Sequence, residues 1–212
     1  MVGINTVVRP GSDAAVLRLP DTEKGLALSI DCNSRYVYLD PWRGGAIAVA
    51  ESARNIACSG GTPLGITNCL NFGNPEKPEI YWQFVHATDG IAEACRVLST
   101  PVSGGNVSLY NEFDGEAIYP TPTIGMVGLL ESVEQRVTSD FKASGDIVLL
   151  LGESKEEIGA SEAFYILTAE DAGEVPYIDL AAEKALKQCL ITGAKQGLIQ
   201  SAHDCSEGGL SV

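Results

Sequence analysis

Two helical stripes, each leading into a glycine-bearing segment, limit the fold of this chain more than any other feature. Ala46, Ile47, Val49, Ala50, Ala53, Ile56 and Ala57 recur at steps of three and four. That spacing gathers them on one face of a helix placed after Gly44-Gly45, and Gly60-Gly61 ends it. A second helix starts near Pro78, where a missing N–H costs nothing, and its stripe is Ile80, Phe84, Ala87, Ile91, Ala94, Cys95 and Leu98. Pro101 stops it. Short apolar bursts around these helices read as strands: residues 14–19 and 26–30 as a hairpin leading to Asp31, Leu64 to Ile66, and Thr123 to Glu131 after Pro120 and Pro122.

From about residue 132 the sequence turns polar and reaches Ser144-Gly145-Asp146, which divides the chain into a first domain, 1–136, and a second, 137–212. Ile147 to Leu151 then reads as a buried strand. Asp179 can cap a helix whose stripe is Leu180, Ala185, Leu186, Cys189 and Leu190, with Gly197 near its end. Leu198 to Ala202 reads as strand, and His203-Asp204-Cys205-Ser206-Glu207-Gly208-Gly209 as the loop after it. Stopping at Val212, in the first turn of a next helix, the second domain is expected to be a truncated α/β unit.

Lys and Arg total 14 against 28 Asp and Glu, a formal charge of -14. Such a surface repels nucleic acid and anionic membrane, so an anionic ligand must be held by local devices: glycine loops, helix N-termini or a bridging cation. No run approaches the ~20 apolar residues of a membrane helix and no basic leader opens the chain, so a cytoplasmic protein is expected. Cys32, Cys58, Cys69, Cys95, Cys189 and Cys205 form no Cys-x-x-Cys pair, which argues against a zinc site or a disulfide scaffold.

Gly104-Gly105-Asn106-Val107-Ser108-Leu109-Tyr110-Asn111-Glu112 reads in two ways. Two glycines let a backbone press against phosphate while Asn, Ser and Glu oxygens hold a hard cation. Gly-Gly-Asn is equally the chemistry of a polar turn. Arg54, on the polar side of the first helix, reads as a surface ion pair with Glu51 or Asp40. Asn71 and Asn74 read as local turn formers, Glu112 as a solvated acid, and His86 as structural. No Gly-x-x-x-x-Gly-Lys-Ser/Thr loop occurs, which excludes that route to ATP.

Arg35-Tyr36-Val37-Tyr38-Leu39-Asp40-Pro41, Val49-Ala50-Glu51-Ser52-Ala53-Arg54-Asn55, Asn68-Cys69-Leu70-Asn71-Phe72-Gly73-Asn74-Pro75, the Gly104 word and Tyr119-Pro120-Thr121-Pro122 follow one another in a specific order. In this order the chain resembles the second half of the formylglycinamidine ribonucleotide synthases, over nearly all of residues 6 to 212. The resemblance implies an α+β domain with a four-stranded sheet, of the aminoimidazole ribonucleotide synthase-like superfamily, followed by the truncated α/β domain. It also implies that this sheet joins that of the other half in a barrel, so that the exposed sheet face promotes self-association.

The activity implied is ligation of ammonia: ATP with Mg²⁺ activates the amide oxygen of formylglycinamide ribonucleotide, and ammonia from a glutaminase subunit or domain gives the amidine. A small accessory subunit is a further implied partner. Carried over by position, Gly105, Asn68 and Asn33 would contact ATP, Asn106 would ligate Mg²⁺ and Ser108 would bind the ribonucleotide. Asn68 stands where the family usually has Asp. The catalytic His-Asn-His-Pro word belongs to the family's first half, so no catalytic residue is expected here. Two other readings stand beside the ligase: a structural, nucleotide-binding module, or a sister ATP-dependent enzyme of the same fold.

Overall fold

The computed structural model describes residues 3–206 and 209–211. Glu207 and Gly208, part of the glycine-bearing word near the C-terminus, lie outside the described residues. In chain order the elements are β1 (Thr6–Val8), β2 (Ala15–Arg18), β3 (Gly25–Asp31), α1 (Ser34–Leu39), α2 (Pro41–Cys58), β4 (Thr62–Asn71) and α3 (Pro78–Leu98). They continue with β5 (Val102–Ser108), β6 (Glu112–Phe113), β7 (Glu116–Ala117), β8 (Thr121–Leu130), α4 (Glu162–Thr168) and α5 (Leu180–Lys195).

Six strands form one sheet in the order β1-β2-β3-β8-β4-β5, two more than the resemblance implied. The pairing of β4 with β5 is parallel, because α3 carries the chain back across the sheet between them; the other four pairings are antiparallel. Helices α2 and α3 cover one face. Val16, Ala27, Val49, Ile56, Ile66, Leu70, Phe72, Leu98, Ile124 and Met126 close a single core between them and the sheet. Along β8 the burial alternates strictly, so its even-numbered residues face the helices.

Three local expectations are corrected. Helix α2 begins at Pro41, not after Gly44-Gly45, because Asp40 caps it by accepting the Arg43 N–H at 3.0 Å. The glycines sit inside its first turns, where α3 presses close: a Cβ on Gly45 would lie 2.5 Å from the Ala87 carbonyl oxygen, and one on Gly90 would lie 1.9 Å from that of Trp42. Strand β4 runs from Thr62 to Asn71, well past the Leu64 to Ile66 expected, so Asn68 to Asn71 lie within a strand. The Gly104 segment is likewise strand β5 up to Ser108, on the sheet edge, since its backbone pairs with β4 from Thr67 to Asn71. A further helix, α1, is too short at six residues to show a periodicity.

The second block folds differently from its sequence signals. Ile147 to Leu151 form no strand; they are 42–85% exposed, with no ladder partner among the described residues. Leu198 to Ala202 contribute only one bridge, Thr138 to Ser201. The periodicity gave no sign of α4, a seven-residue helix capped by Ser161. Helix α5 is as expected, with Asp179 accepting the N–H groups of Ala181 and Ala182. It packs Leu190 and Ile191 on Ala57 and Cys58 of α2.

Lys187 of α5 reaches across to the C-terminus of α3 and donates to the Leu98 carbonyl oxygen at 2.7 Å. Burial, with a smaller push from Lys184, lowers its pKa. Lys187→Met, which keeps the stem's volume but leaves that carbonyl unpaired, is expected to cost about 1–3 kcal/mol in chemical denaturation. An unchanged midpoint would show that the contact holds nothing.

Opposite the helices, the other sheet face bears Leu26, Leu28, Ile30, Leu64, Val127 and Leu129; Ile30 is 76% and Leu64 50% exposed. An apolar face this continuous favours association. Sedimentation of a concentration series is expected to show species heavier than 22.3 kDa as concentration rises. A strictly monomeric boundary throughout would refute it.

Candidate functional site

Sheet register brings some of the sequence-predicted residues together and separates others. Asp31 of β3 pairs with Ile124, Ile124 with Asn68, and Asn68 with Gly105, so these four form one row across the sheet, roughly 14 Å long at three strand spacings. Gly105 and Asn68 touch: φ is +158°, a conformation side-chain-bearing residues rarely adopt, and a Cβ there would fall 2.1 Å from the Asn68 Oδ1. Only glycine leaves room for that side chain.

Asn106 pairs with Cys69 and Ser108 with Asn71, one step out of phase with the row. Strand alternation therefore sends Asn106 and Ser108 to the helix-free face. Asn106 is exposed, and Ser108 Oγ donates to Asn111 Oδ1 at 3.3 Å. The Asn111 amide in turn donates to the Phe72 and Ser108 carbonyls at 3.0 and 2.9 Å, which ties the β5 end to the turn after β4.

Asn33 stands beyond the end of β3 and caps α1, its Oδ1 accepting the Tyr36 N–H at 3.1 Å. Neighbouring Arg35 is taken by Asp171 and, at 3.0 Å, by Glu162. Asn74 makes the expected local turn to Glu76 N at 2.8 Å, Asn71 donates to the Cys69 and Thr121 carbonyls, and Glu112 pairs with Lys77 at 2.7 Å.

The strongest concentration of chemistry lies on the other, helix-covered side, at the end of β3, and it was not singled out in the sequence. Asp31 points into α2, accepting from Ser52 Oγ at 2.6 Å and Asn55 Nδ2 at 2.9 Å. Little more than one turn of α2 places Glu51 and Asn55 beside it, with Arg54 next to Glu51. Arg54 is not the surface residue expected: its side chain is 20% exposed and bonds Glu183 at the start of α5 at 2.7 Å, with Asp204 at 3.6 Å. Glu51, Glu183 and Asp204 thus share a single guanidinium, with Asp31 close enough to Glu51 and Asp204 to add to the negative field.

The electrostatics register the imbalance. Burial, then the charges of Asp31 and Asp204, push the Glu51 carboxyl up to about 7, against an opposing hydrogen bond from Ser206. Burial also raises Asp31, with Asp204 adding to it, while the bonds from Ser52 and Asn55 hold it back. Three buried oxygens here have no hydrogen-bond partner: Asn55 Oδ1, Glu183 Oε2 and Asp204 Oδ2, and Asn55 and Asp204 are each 7% exposed. An excess of hard oxygen donors with orphaned lone pairs attracts a divalent cation such as Mg²⁺, and among the described residues only Asp13, His203 and Asp204 hold three ligand atoms within 4.8 Å of one another. The sequence signal was available in the pairing of Glu51 with Asn55 at i, i+4 on α2, close behind Asp31.

The model of the AIR synthase related protein N-terminal domain matches residues 11–130, more than half of the chain, and that of the C-terminal domain matches residues 143–212. The chain belongs to the AIR synthase related family. Among solved structures, this family member is similar to Thermotoga maritima PurL complexed with ATP: 35% identity, TM-score 0.59, over 64% of this chain and 23% of that one. It is similar too to T. maritima phosphoribosylformylglycinamidine synthase II, at 27% identity and TM-score 0.68, over 95% of this chain and 30% of that one. T. maritima PurL complexed with FGAR matches at 28% identity and TM-score 0.68, covering 95% and 29%. The chain therefore spans less than a third of the length of these relatives. Among the described residues no helix is long and apolar enough to cross a membrane.

For an AIR synthase related chain free of metal, the Glu51 shift gives a pH dependence with a definite sign. A carboxyl near 7 in the folded state and 4.5 unfolded binds more protons folded, so stability is greatest below the unfolded value and falls as pH rises through the window from 4.5 to about 7. The loss is at most about 3 kcal/mol. Glu51→Gln is expected to flatten the stability profile across that window in denaturant titrations with chelator present. A profile of wild-type shape in the variant would assign the slope to other groups.

Proposed function

We infer that this chain supplies one wall of the nucleotide and substrate cleft of an ATP-dependent ligase, and that the field of Asp31, Glu51 and Asp204, with the Asn55 amide oxygen, draws a divalent cation to it. The observation that carries the reading is the largely buried cluster of Asp31, Glu51, Glu183 and Asp204, served by the one guanidinium of Arg54, with three orphaned oxygens. A bound cation would screen the polyphosphate of a nucleotide, which this acidic surface would otherwise repel. Gly105 and Asn68 give the close backbone approach a phosphate chain needs, and Asn106 and Ser108 offer an amide and a hydroxyl on the helix-free face for the nucleotide's Mg²⁺ and the ribonucleotide. The reaction proposed is conversion of formylglycinamide ribonucleotide to its amidine with ammonia released from glutamine by a glutaminase partner, in the cytoplasm. The T. maritima structures with ATP and with FGAR support that choice of ligands.

Both histidines of the chain are engaged: His86 packs on Trp82 with ring centroids 4.5 Å apart, and His203 contacts Asp13 at 2.8 Å. This favours a chain that binds and orients while proton transfer is carried out elsewhere in the assembled enzyme. Residues 1–136 and 137–212 serve in this reading as the barrel-forming unit and the start of the second unit.

Calorimetric titration with ADP is the test. Binding is expected in the presence of Mg²⁺ and to be lost with chelator. Asp31→Asn with Asn55→Ala is expected to weaken it at least about tenfold, and Asn106→Ala to weaken it separately. Equal ADP affinity with and without Mg²⁺ would overturn the cation reading. Loss in the first variant with none in Asn106→Ala would confine the site to the helix-covered side.

A further inference from the structure

We propose that the β6-β7 hairpin and the start of α3 form a docking surface for an arginine-rich segment of a partner protein. Tyr81, Trp82 and Tyr110 are exposed there, and Phe113 is 85% exposed. Register makes Phe113 the outward residue. Glu112 stands opposite Ala117 in the hairpin, and Phe113 opposite Glu116. The Glu112 side is turned to the start of α3: Lys77 bonds Glu112 at 2.7 Å, and a Cβ on Gly73 would lie 2.6 Å from that of Ala117. Strand alternation therefore sends Phe113 and Glu116 to solvent. The hairpin is also tied at both ends, by the Tyr110 N–H to the Gly73 carbonyl at 3.0 Å and the Ile118 N–H to the Asn111 carbonyl at 3.1 Å. Rings held on a preformed hairpin cost a partner little ordering entropy.

Exposed aromatics alone would admit several occupants, and the charge around them selects one. Residues 73–84 and 109–120 carry Glu76, Glu79, Glu112, Asp114 and Glu116 against a single cation, Lys77. Glu112 already bonds that ammonium, and the charges of Glu79 and Glu116 act on it as well. Nucleic acid stacks its bases on such rings only where a basic groove carries the phosphates, so this surface repels it, as it repels an anionic membrane. A second copy would bring the same acids face to face. Arginine suits both parts of the surface: its guanidinium stacks on aromatic faces and takes carboxylates through two parallel hydrogen bonds. None of these residues belongs to the cluster around Arg54 or to the row through Asn68 and Gly105, so the inference is independent of both.

The experiment titrates the whole chain calorimetrically with a short synthetic peptide alternating arginine and serine, while hydrogen exchange locates the contact. Binding is expected, with the amides of residues 112–117 protected, and the same peptide with lysine for arginine is expected to bind about threefold or more weakly. Phe113→Ser with Trp82→Ser is expected to weaken the arginine peptide about tenfold or more, and Glu79→Gln with Glu116→Gln to do the same. These four residues are exposed, and circular dichroism melting checks the fold; if the first pair does not fold, Phe113→Ser alone decides. Glu153→Gln with Glu156→Gln removes two acids outside the surface and is expected to leave affinity unchanged. No binding, equal affinity for the two peptides, an equal loss in the Glu153, Glu156 variant, or wild-type affinity in the folded Phe113 variant overturns the proposal. Protection of residues 112–117 that grows with the chain's own concentration in the absence of peptide assigns the surface to a second copy and overturns it too.

Discussion

Arg54→Ala is expected to be among the most destabilising single changes in the chain, costing about 3–5 kcal/mol. Among the described residues the guanidinium is the one cation paired with Glu183 and Asp204, and Glu51 adds to the same field. Removing it leaves at least two buried carboxylates unpaired, which is far costlier than losing a surface ion pair of about 0–1 kcal/mol. The same argument yields a discriminating result. Mg²⁺ should raise the melting temperature of Arg54→Ala more than that of wild type, since a divalent cation can take over the neutralisation. A loss below about 1 kcal/mol, or an equal Mg²⁺ response in both proteins, would show that the carboxylates are better solvated than their burial indicates.

Gly90→Ala tests the helix layer. Alanine at a helix interior gains about 1 kcal/mol of propensity over glycine, so in isolation the change stabilises α3. Here the new Cβ would sit 1.9 Å from the Trp42 carbonyl oxygen, a backbone atom that moves only if α2 shifts. Overpacking of this kind costs about 1–3 kcal/mol or more, and a main-chain clash lies at the upper end. The net loss is expected to lower the melting temperature by about 4–10 °C for a chain of this length. Gly104→Ala, whose Cβ would meet nothing within 4 Å, serves as the neutral control. A melting temperature equal to or above wild type for Gly90→Ala would mean that α2 and α3 slide apart at no cost.

Elements whose signal is local were legible in the residues alone. Helices α2, α3 and α5 carry long stripes with a proline or Asp at the start, and β8 carries an apolar, glycine-bearing run preceded by prolines. The words around Asn68 and Gly105 identified the family without any geometry. Elsewhere partners from distant parts of the chain fix the outcome. The Gly104 segment is read by its residues as loop and becomes an edge strand because β4 supplies the hydrogen bonds; Ile147 to Leu151 is read as strand and stays unpaired because nothing described lies beside it. Arg54 is polar on a helix face, and burial by α5 and the segment at Asp204, 129 and 150 residues further on, turns a surface residue into the centre of an acidic cluster. Periodicity reports which way a side chain points along its own element. The charge it meets there is set by chain crossings that no local pattern encodes.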